Sequence, residues 1–220
     1  MQLHITRHGQ TDVNSDHPPG DPHLTSLGHR QAKLLGRALK EHGFAGTIYS
    51  SPYLRTVETA QGIAAVTGAK VLLAAEMREY VIRENQMDDF TGATQEALVA
   101  AYPPLQPTEN FPYPWWTDTI ETDADIEARV APLIDRVAGG QDDALLVGHG
   151  ASVQGVHRYI LRRRAPDQLD HGGICWNCCL SSFALGPDFK TLRLMDVAHL
   201  PDEAITSNTR PRAEVLAEGI

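Results

Sequence analysis

The sequence has no apolar run that approaches the roughly 18 residues needed to span a membrane as a helix. It also lacks a charged-then-apolar leader, because a strand-like segment begins at once, and we expect a cytoplasmic protein without a membrane partner. Internal repeats and low-complexity segments are missing as well. Hydrophobic residues make up 42% of the chain, a share that excludes a disordered or collagen-like polymer.

Basic residues are scarce, since 19 Lys and Arg stand against 28 Asp and Glu, which gives a formal net charge of -9. This balance disfavours nucleic acid and anionic membranes as partners, because both attract positively charged surfaces. An anionic substrate must therefore be held by a local cluster of arginine and histidine. A chain of 220 residues can bury one sizeable core, and we predict a single domain over residues 1–220.

Cysteine is also rare, and the three that occur are Cys175, Cys178 and Cys179. An odd number in one short segment argues against the disulfide framework of a secreted protein. Cys175 and Cys178 have the C-x-x-C spacing of zinc ligands, but no second such pair accompanies them. We interpret the segment as a buried strand with thiols in the core. We predict neither a metal ion nor a cofactor.

Three strand-like segments each end in residues that suit anion binding. The first stops at Arg7-His8, the second leads into a helix whose first turn contains Arg55, and the third ends at His149. Alternating strands and helices predict an α/β fold with a largely parallel sheet, in which ligands gather at the carboxyl ends of the strands. We expect these four side chains to lie together. They suit a phosphoryl group, because arginine matches phosphate oxygens bidentately.

The start of the second helix has its own signal. Ser51 followed by Pro52 is typical of an N-cap with proline at the first helical position. We expect the helix to end near Gly68. Arg55 then lies beside the free N–H groups and the positive dipole end of that helix, where anions bind.

Four motifs follow one another along most of residues 1–185. They are Arg7-His8-Gly9 with Thr11 and Asn14, Leu24-Thr25 with Gly28 and Gln31-Ala32, Ser51-Pro52 with Arg55-Thr56 and Thr59-Ala60, and Gly148-His149-Gly150. In type and order they resemble the motifs of the histidine phosphatase (phosphoglycerate mutase-like) superfamily.

The resemblance implies a three-layer α/β/α sandwich with a mostly parallel central sheet. It also implies that His8 becomes phosphorylated, that Arg7, Arg55 and His149 hold the phosphoryl oxygens, and that Asn14 is a further phosphate contact. The residue types agree with these roles. A neutral imidazole can attack phosphorus in line while cationic groups spread the charge of the transition state, and no metal is required.

The reaction also needs a proton donor, because an alkoxide leaves poorly unless it is protonated. The family resemblance implies an acidic residue shortly after the third strand. Glu79 in Met77-Arg78-Glu79 fits that pattern best, and Glu76 is the reserve. The glycine-rich stretch that often follows the acid in the family is replaced here by residues 81–85, a departure that affects the acid and the lid.

Two further segments have less regular patterns. From about residue 80 to 121 the periodicity disappears among five prolines and several aromatic residues. An irregular segment of that length is typical of a lid, and Trp115 and Trp116 are candidate substrate contacts. Alternatively, the aromatic side chains give the segment a small core of its own. We expect residues 202–220 to form a loosely docked tail.

These features predict a metal-independent phosphomonoesterase that acts on a small phosphorylated metabolite through phospho-His8. One alternative is a cofactor-dependent phosphotransferase of the phosphoglycerate mutase type, which needs extra cations for a second phosphate. Arg83 is the one basic residue of segment 80–121, which argues against it. A catalytically weak phosphate-binding or scaffold protein is the second alternative. The sequence leaves the natural substrate and the oligomeric state open, a dimer included.

Overall fold

The structure is a computed structural model that describes residues 1–12, 21–170 and 173–218. Its helices and strands alternate through the first two thirds of the chain, and a strand pair and a hairpin follow. In chain order they are β1 (Gln2–Arg7), α1 (Ser26–Glu41), β2 (Thr47–Ser50), α2 (Leu54–Thr67), β3 (Val71–Leu73), α3 (Gln95–Ala101), β4 (Leu105–Gln106), α4 (Asp123–Ala138), β5 (Ala144–Gly148), α5 (Gly150–Arg164), β6 (Leu180–Ala184), β7 (Lys190–Asp196), β8 (Thr206–Ser207), β9 (Arg210–Pro211) and α6 (Arg212–Ala217).

In the described part of the chain, seven strands form the central sheet in the order β4-β3-β2-β5-β1-β6-β7. The first five strands of that order run parallel to their neighbours, and β6 and β7 add an antiparallel edge. The predicted α/β fold with a mostly parallel sheet is confirmed. Since β1, β2 and β5 are adjacent, their carboxyl ends present Arg7, Ser50 and Gly148 along one edge.

Helices cover both faces of this sheet. Helices α1 and α2 pack together on one face, and α4 and α5 pack together on the other. A hydrophobic core lies between the sheet and each pair of helices, and alternate residues of β5 pack into the two cores. Leu145 and Val147 lie on the α1–α2 side and Leu146 lies on the α4–α5 side. This continuous apolar strand is buried on both faces, as parallel central strands are.

The start of α2 differs from the prediction. The helix begins at Leu54 with Tyr53 at the N-cap, and Tyr53 makes no capping hydrogen bond through its side chain. Ser51 is therefore not the cap, because its hydroxyl bonds instead to His149. Arg55 still lies in the first turn, as predicted. The helix ends at Gly68, whose φ of 77° gives the left-handed conformation common after helices.

The segment 80–121 is more regular than its sequence indicates. Helix α3 lies within it, capped by Thr94, whose hydroxyl accepts the Ala97 N–H. The two residues of β4 then pair in parallel with β3 and extend the sheet. The expectation of a wholly irregular insertion is therefore wrong.

One prediction about the C-terminal third is also wrong. Residues 174–179 contain a turn before β6, and Cys178 has a φ of 54°, so they are not a strand. Within the described part of the tail, Ala204, Ile205 and Val215 are buried, whereas most of residues 208–218 are exposed. No helix in the described ranges is long and apolar enough to cross a membrane.

Candidate active site

His8 follows β1 and is buried at the carboxyl edge of the sheet. Its Nδ1 lies 2.7 Å from the carbonyl oxygen of Gly9. A carbonyl oxygen accepts but cannot donate, so Nδ1 carries the proton and Nε2 carries the lone pair of the neutral ring. Burial, together with Arg55 and Arg7, holds the pKa of His8 well below its usual value. The ring is therefore a neutral base with Nε2 available.

His149 follows β5, and its ring centroid lies 5.4 Å from that of His8. Its Nε2 is 2.9 Å from the hydroxyl oxygen of Ser51. Its Nδ1 is buried, has no hydrogen-bond partner among the described residues and lies 3.5 Å from Oε2 of Glu79. Burial lowers the pKa of His149, and the nearby arginines act in the same direction. An unpartnered buried nitrogen beside His8 suits a phosphoryl oxygen.

Arg7 ends β1 and is anchored by groups from the C-terminal third of the chain. Its Nη1 donates to the carbonyl oxygen of Cys175 at 2.8 Å and to the hydroxyl oxygen of Ser207 at 3.4 Å. Its Nη2 donates to Oδ1 of Asn208. Its Nε is buried and has no hydrogen-bond partner among the described residues. The guanidinium thus keeps donors for an anion.

Arg55 contacts groups from three segments. Its guanidinium carbon lies 4.4 Å from the centroid of the Tyr53 ring, and its Nη2 lies 3.9 Å from Oε2 of Glu79. Its Nη1 lies 3.5 Å from Oδ1 of Asp21. The other carboxylate oxygen of Asp21 accepts the backbone N–H of Leu54 at the start of α2. Burial raises the pKa of Asp21 to about 6, although Arg55 acts in the opposite direction.

The two candidate acids lie in different places. Glu79 contacts both Arg55 and His149, and its burial raises the pKa of its carboxyl group above the usual value. Glu76 instead faces α4, with its Oε1 lying 3.3 Å from Nη2 of Arg136. The structure therefore brings Glu79 to the cluster and leaves Glu76 outside it.

The remaining predicted residues are Asn14, Trp115 and Trp116. Asn14 lies outside the described residues. Trp115 is buried, donates its indole N–H to the carbonyl oxygen of Ala93 and packs against Tyr53 and Phe90. Trp116 packs against Trp115 in turn. These contacts agree with the alternative that the aromatic residues form a local core, which adjoins the cluster through Tyr53 beside His149.

Several partners of the cluster have no signal in the sequence. Ser51 has the pattern of a helix cap and belongs to a family motif, but neither indicates its contact with His149. Neither Asp21 nor Asn208 has a local pattern that indicates a contact with an arginine. Asn177 is likewise hidden in the turn before β6, where its Nδ2 donates to the carbonyl oxygen of His8 at 3.0 Å.

The assembled cluster combines a neutral imidazole, a second imidazole with an unpartnered nitrogen, two guanidinium groups and one carboxyl group. Such a set can bind a tetrahedral dianion and can supply a nucleophile and a proton donor. Among the described residues, no group of three or more His, Cys, Asp or Glu side chains is arranged to hold a metal ion.

The sequence is similar to known proteins over much of its length. A sequence model described as histidine phosphatase superfamily (branch 1) matches residues 3–197. A protein of Escherichia fergusonii named probable phosphoglycerate mutase GpmB is 26% identical over 156 residues, which cover 70% of this chain and 71% of that protein.

Solved structures show the same fold. The ecdysone phosphate phosphatase of Bombix mori, in complex with tungstate, has a TM-score of 0.65 at 20% identity and covers 98% of this chain and 99% of its own. A phosphoserine phosphatase mutant from Entamoeba histolytica, in complex with phosphoserine, has a TM-score of 0.61 at 22% identity and covers 91% of this chain and 99% of its own.

Proposed function

The chain belongs to the histidine phosphatase superfamily, and from this premise we propose that it is a phosphomonoesterase that forms a covalent phosphate intermediate on His8. The observation that carries the proposal is the fixed proton position of His8. The carbonyl oxygen of Gly9 holds the proton on Nδ1, and burial keeps the ring neutral, so Nε2 is a nucleophile without prior deprotonation.

In the first half-reaction, Nε2 of His8 attacks phosphorus and the bond from phosphorus to the ester oxygen breaks. Arg7, Arg55 and the Nδ1–H of His149 hold the three phosphoryl oxygens. Glu79 gives its proton to the departing alkoxide, which leaves as an alcohol. The raised pKa of Glu79 favours this role, because a larger fraction of the carboxyl group is protonated at a given pH.

In the second half-reaction, the carboxylate of Glu79 takes a proton from a water molecule. The oxygen of that water attacks phosphorus, and the bond to Nε2 of His8 breaks. Inorganic phosphate and the free imidazole result, and Glu79 is protonated again. The two guanidinium groups supply the positive charge that stabilises the transferring phosphoryl group, so the proposed reaction needs no metal ion.

We propose a small phosphorylated metabolite as the substrate class. The structures of similar fold include an ecdysone phosphate phosphatase and a phosphoserine phosphatase, which supports this class. The leaving group would lie near Tyr53 and the aromatic cluster beyond it, which favours an alcohol with apolar surface.

The name of the Escherichia fergusonii relative favours a second candidate, a phosphoglycerate mutase activity. A mutase must retain a bisphosphorylated intermediate and therefore needs cations for two phosphates. Segment 80–121 holds seven acidic residues and one basic residue, Arg83, so it offers little for a second phosphate. We therefore place hydrolysis ahead of mutase activity.

The covalent intermediate provides the test. We expect brief incubation with a ³²P-labelled phosphomonoester, followed by denaturation, to leave acid-labile phosphate on the protein. His8→Ala should abolish both the label and turnover, whereas His42→Ala, at an exposed histidine, should change neither. A labelled His8→Ala protein would contradict the proposal, because another residue would then carry the phosphate. An unlabelled natural protein would also contradict it and would favour a weak phosphate-binding protein.

A second assay separates the two catalytic candidates. Hydrolysis of 4-nitrophenyl phosphate is compared with conversion of 3-phosphoglycerate in the presence of 2,3-bisphosphoglycerate. We expect hydrolysis to dominate. Mutase turnover that exceeds hydrolysis would replace the proposed activity with a phosphotransferase.

A further inference from the structure

The hairpin of β8 and β9 lies beyond residue 197, where the match to the family ends. Its two-residue turn consists of Asn208 and Thr209, and the side chain of Asn208 is exposed. Asn208 nevertheless contacts the guanidinium of Arg7, which belongs to the first strand of the chain.

Three contacts determine the orientation of the Arg7 guanidinium. The carbonyl oxygen of Cys175 and the hydroxyl oxygen of Ser207 accept from Nη1, and Oδ1 of Asn208 accepts from Nη2. A guanidinium has five N–H donors, so the Nε–H and one Nη2–H remain. The Nε–H and the Nη2–H beside it form one edge of the group. When Oδ1 of Asn208 takes the other Nη2 hydrogen, this edge can match two oxygens of a phosphoryl group bidentately.

The segment that carries Asn208 is tied to the nucleophile through buried hydrogen bonds. The Nε2 of Gln31 donates to the carbonyl oxygen of Ala204 at 2.7 Å and to Oγ1 of Thr206 at 3.0 Å. The hydroxyl of Thr206 donates to Asn177 at 3.1 Å, and Asn177 donates to the carbonyl oxygen of His8. These hydrogen bonds hold the hairpin of β8 and β9 in place relative to the carboxyl end of β1.

We propose that Asn208 is a positioning residue for phosphate binding. Its Oδ1 engages one hydrogen of Nη2 and turns the remaining edge of Arg7 toward the phosphoryl group. The inference rests on the proposed function, since it assigns Arg7 to the phosphoryl oxygens. It goes beyond that function by giving a C-terminal hairpin a part in the site.

The backbone of Asn208 determines which substitution tests this role. Its φ of 55° is in the left-handed region, which glycine adopts without strain. Asn208→Gly therefore removes the acceptor while the turn is kept. Thr209→Ala, at the exposed neighbour in the same turn, is the matched control.

A double-mutant cycle with Arg7→Ala separates positioning from a structural role. With 4-nitrophenyl phosphate we expect Asn208→Gly to lower kcat/KM about ten-fold in the natural background, because a hydrogen bond to a charged group is lost. In the Arg7→Ala background the same change should cost less than about two-fold, since the two residues act as one unit. Thr209→Ala should leave kcat/KM unchanged in both. Equal losses in the two backgrounds, or no loss in the natural one, would overturn the proposal.

The affinity for inorganic phosphate, measured by calorimetry on the same four proteins, does not depend on turnover. We expect the same pattern of about ten-fold and less than about two-fold weakening. If the natural protein binds phosphate in this pattern but hydrolyses no ester, the proposed function fails and the positioning role stands. If the natural protein hydrolyses esters and the effects of the two substitutions are additive, the proposed function stands and the positioning role of Asn208 fails.

Discussion

The hydroxyl oxygen of Ser51 and the Nε2 of His149 lie 2.9 Å apart, and both side chains are inaccessible to water. The low pKa of His149 keeps its ring neutral, so the ring has a single N–H. When the hydroxyl donates to Nε2, that hydrogen is on Nδ1, which faces Glu79. In that arrangement Nδ1 is the nitrogen of His149 that can donate to a phosphoryl oxygen.

Removal of the Ser51 hydroxyl should impair catalysis, because this hydroxyl influences which nitrogen of His149 carries the proton. We expect Ser51→Ala to lower kcat for 4-nitrophenyl phosphate about ten-fold, because the ring loses the contact that fixes its tautomer. Ser50→Ala, which removes a neighbouring buried hydroxyl that donates to a carbonyl oxygen, should affect stability but not kcat. Steady-state kinetics of the two variants measure the difference. A similar kcat for both would contradict the assignment.

Glu79→Gln should affect substrates according to their leaving group. We expect turnover of an alkyl phosphate to fall about 100-fold or more, and turnover of 4-nitrophenyl phosphate to fall far less, because a nitrophenolate leaves without protonation. For the natural protein, kcat on the alkyl ester should fall as pH rises through the raised pKa of Glu79, since the proton donor is then lost.

Glu76→Gln is the control, because Glu76 pairs with Arg136 outside the cluster. Its pH profile and its ratio of alkyl to aryl turnover should equal those of the natural protein. An equal loss on both esters in Glu79→Gln would point to another proton donor.

Asp21→Asn should stabilise the protein near neutral pH. The folded pKa of Asp21, about 6, exceeds the ordinary value of 3.8, so between these values the folded state binds more protons than the unfolded state. The free energy of unfolding therefore falls as pH rises through this window. We expect the variant to be more stable by about 3 kcal/mol at pH 7 and to lose the gain below about pH 4.

Urea denaturation at several pH values measures this effect. The exposed Asp188→Asn serves as the control and should show no pH-dependent gain. A constant difference between Asp21→Asn and the natural protein over pH 4–7 would mean that Asp21 is not the titrating group.

Gly92→Ala should disturb the aromatic cluster. A Cβ at this position would lie 2.1 Å from Cζ2 of Trp115 and 2.9 Å from Cε3 of Trp116, so an indole must move. We expect a loss of about 2 kcal/mol and a fall in Tm of about 4–8 °C, since overpacking strains a packed core. Gly186→Ala, where a Cβ meets nothing within 4 Å, should leave Tm within about 1 °C. Equal melting temperatures would show that the indoles are free to move.

The sequence alone predicts that four side chains lie close together, namely those of Arg7, His8, Arg55 and His149. Each follows a short strand signal, and parallel strands bring their carboxyl ends to one edge. Their partners could not be predicted. Asn208 is 201 residues from Arg7, and a hydrogen bond at that separation leaves no periodic pattern.

The wrong predictions for single helices and strands have separate physical causes. Ser51 satisfies the statistical pattern of a helix cap, but its hydroxyl bonds to a histidine from another strand, and α2 begins at Leu54. Helix α3 has seven residues and β4 has two, which is too short for a hydrophobic period to be detected.

The anchoring of Arg7 by Cys175, Ser207 and Asn208 has a consequence for protein synthesis. A ribosome makes the groups that orient Arg7 some 170 to 200 residues after Arg7 itself. While those residues are synthesised, the nascent chain carries the proposed nucleophile His8 beside a guanidinium that is not yet anchored. The proposed phosphate site is therefore complete only after the hairpin of β8 and β9 has been made.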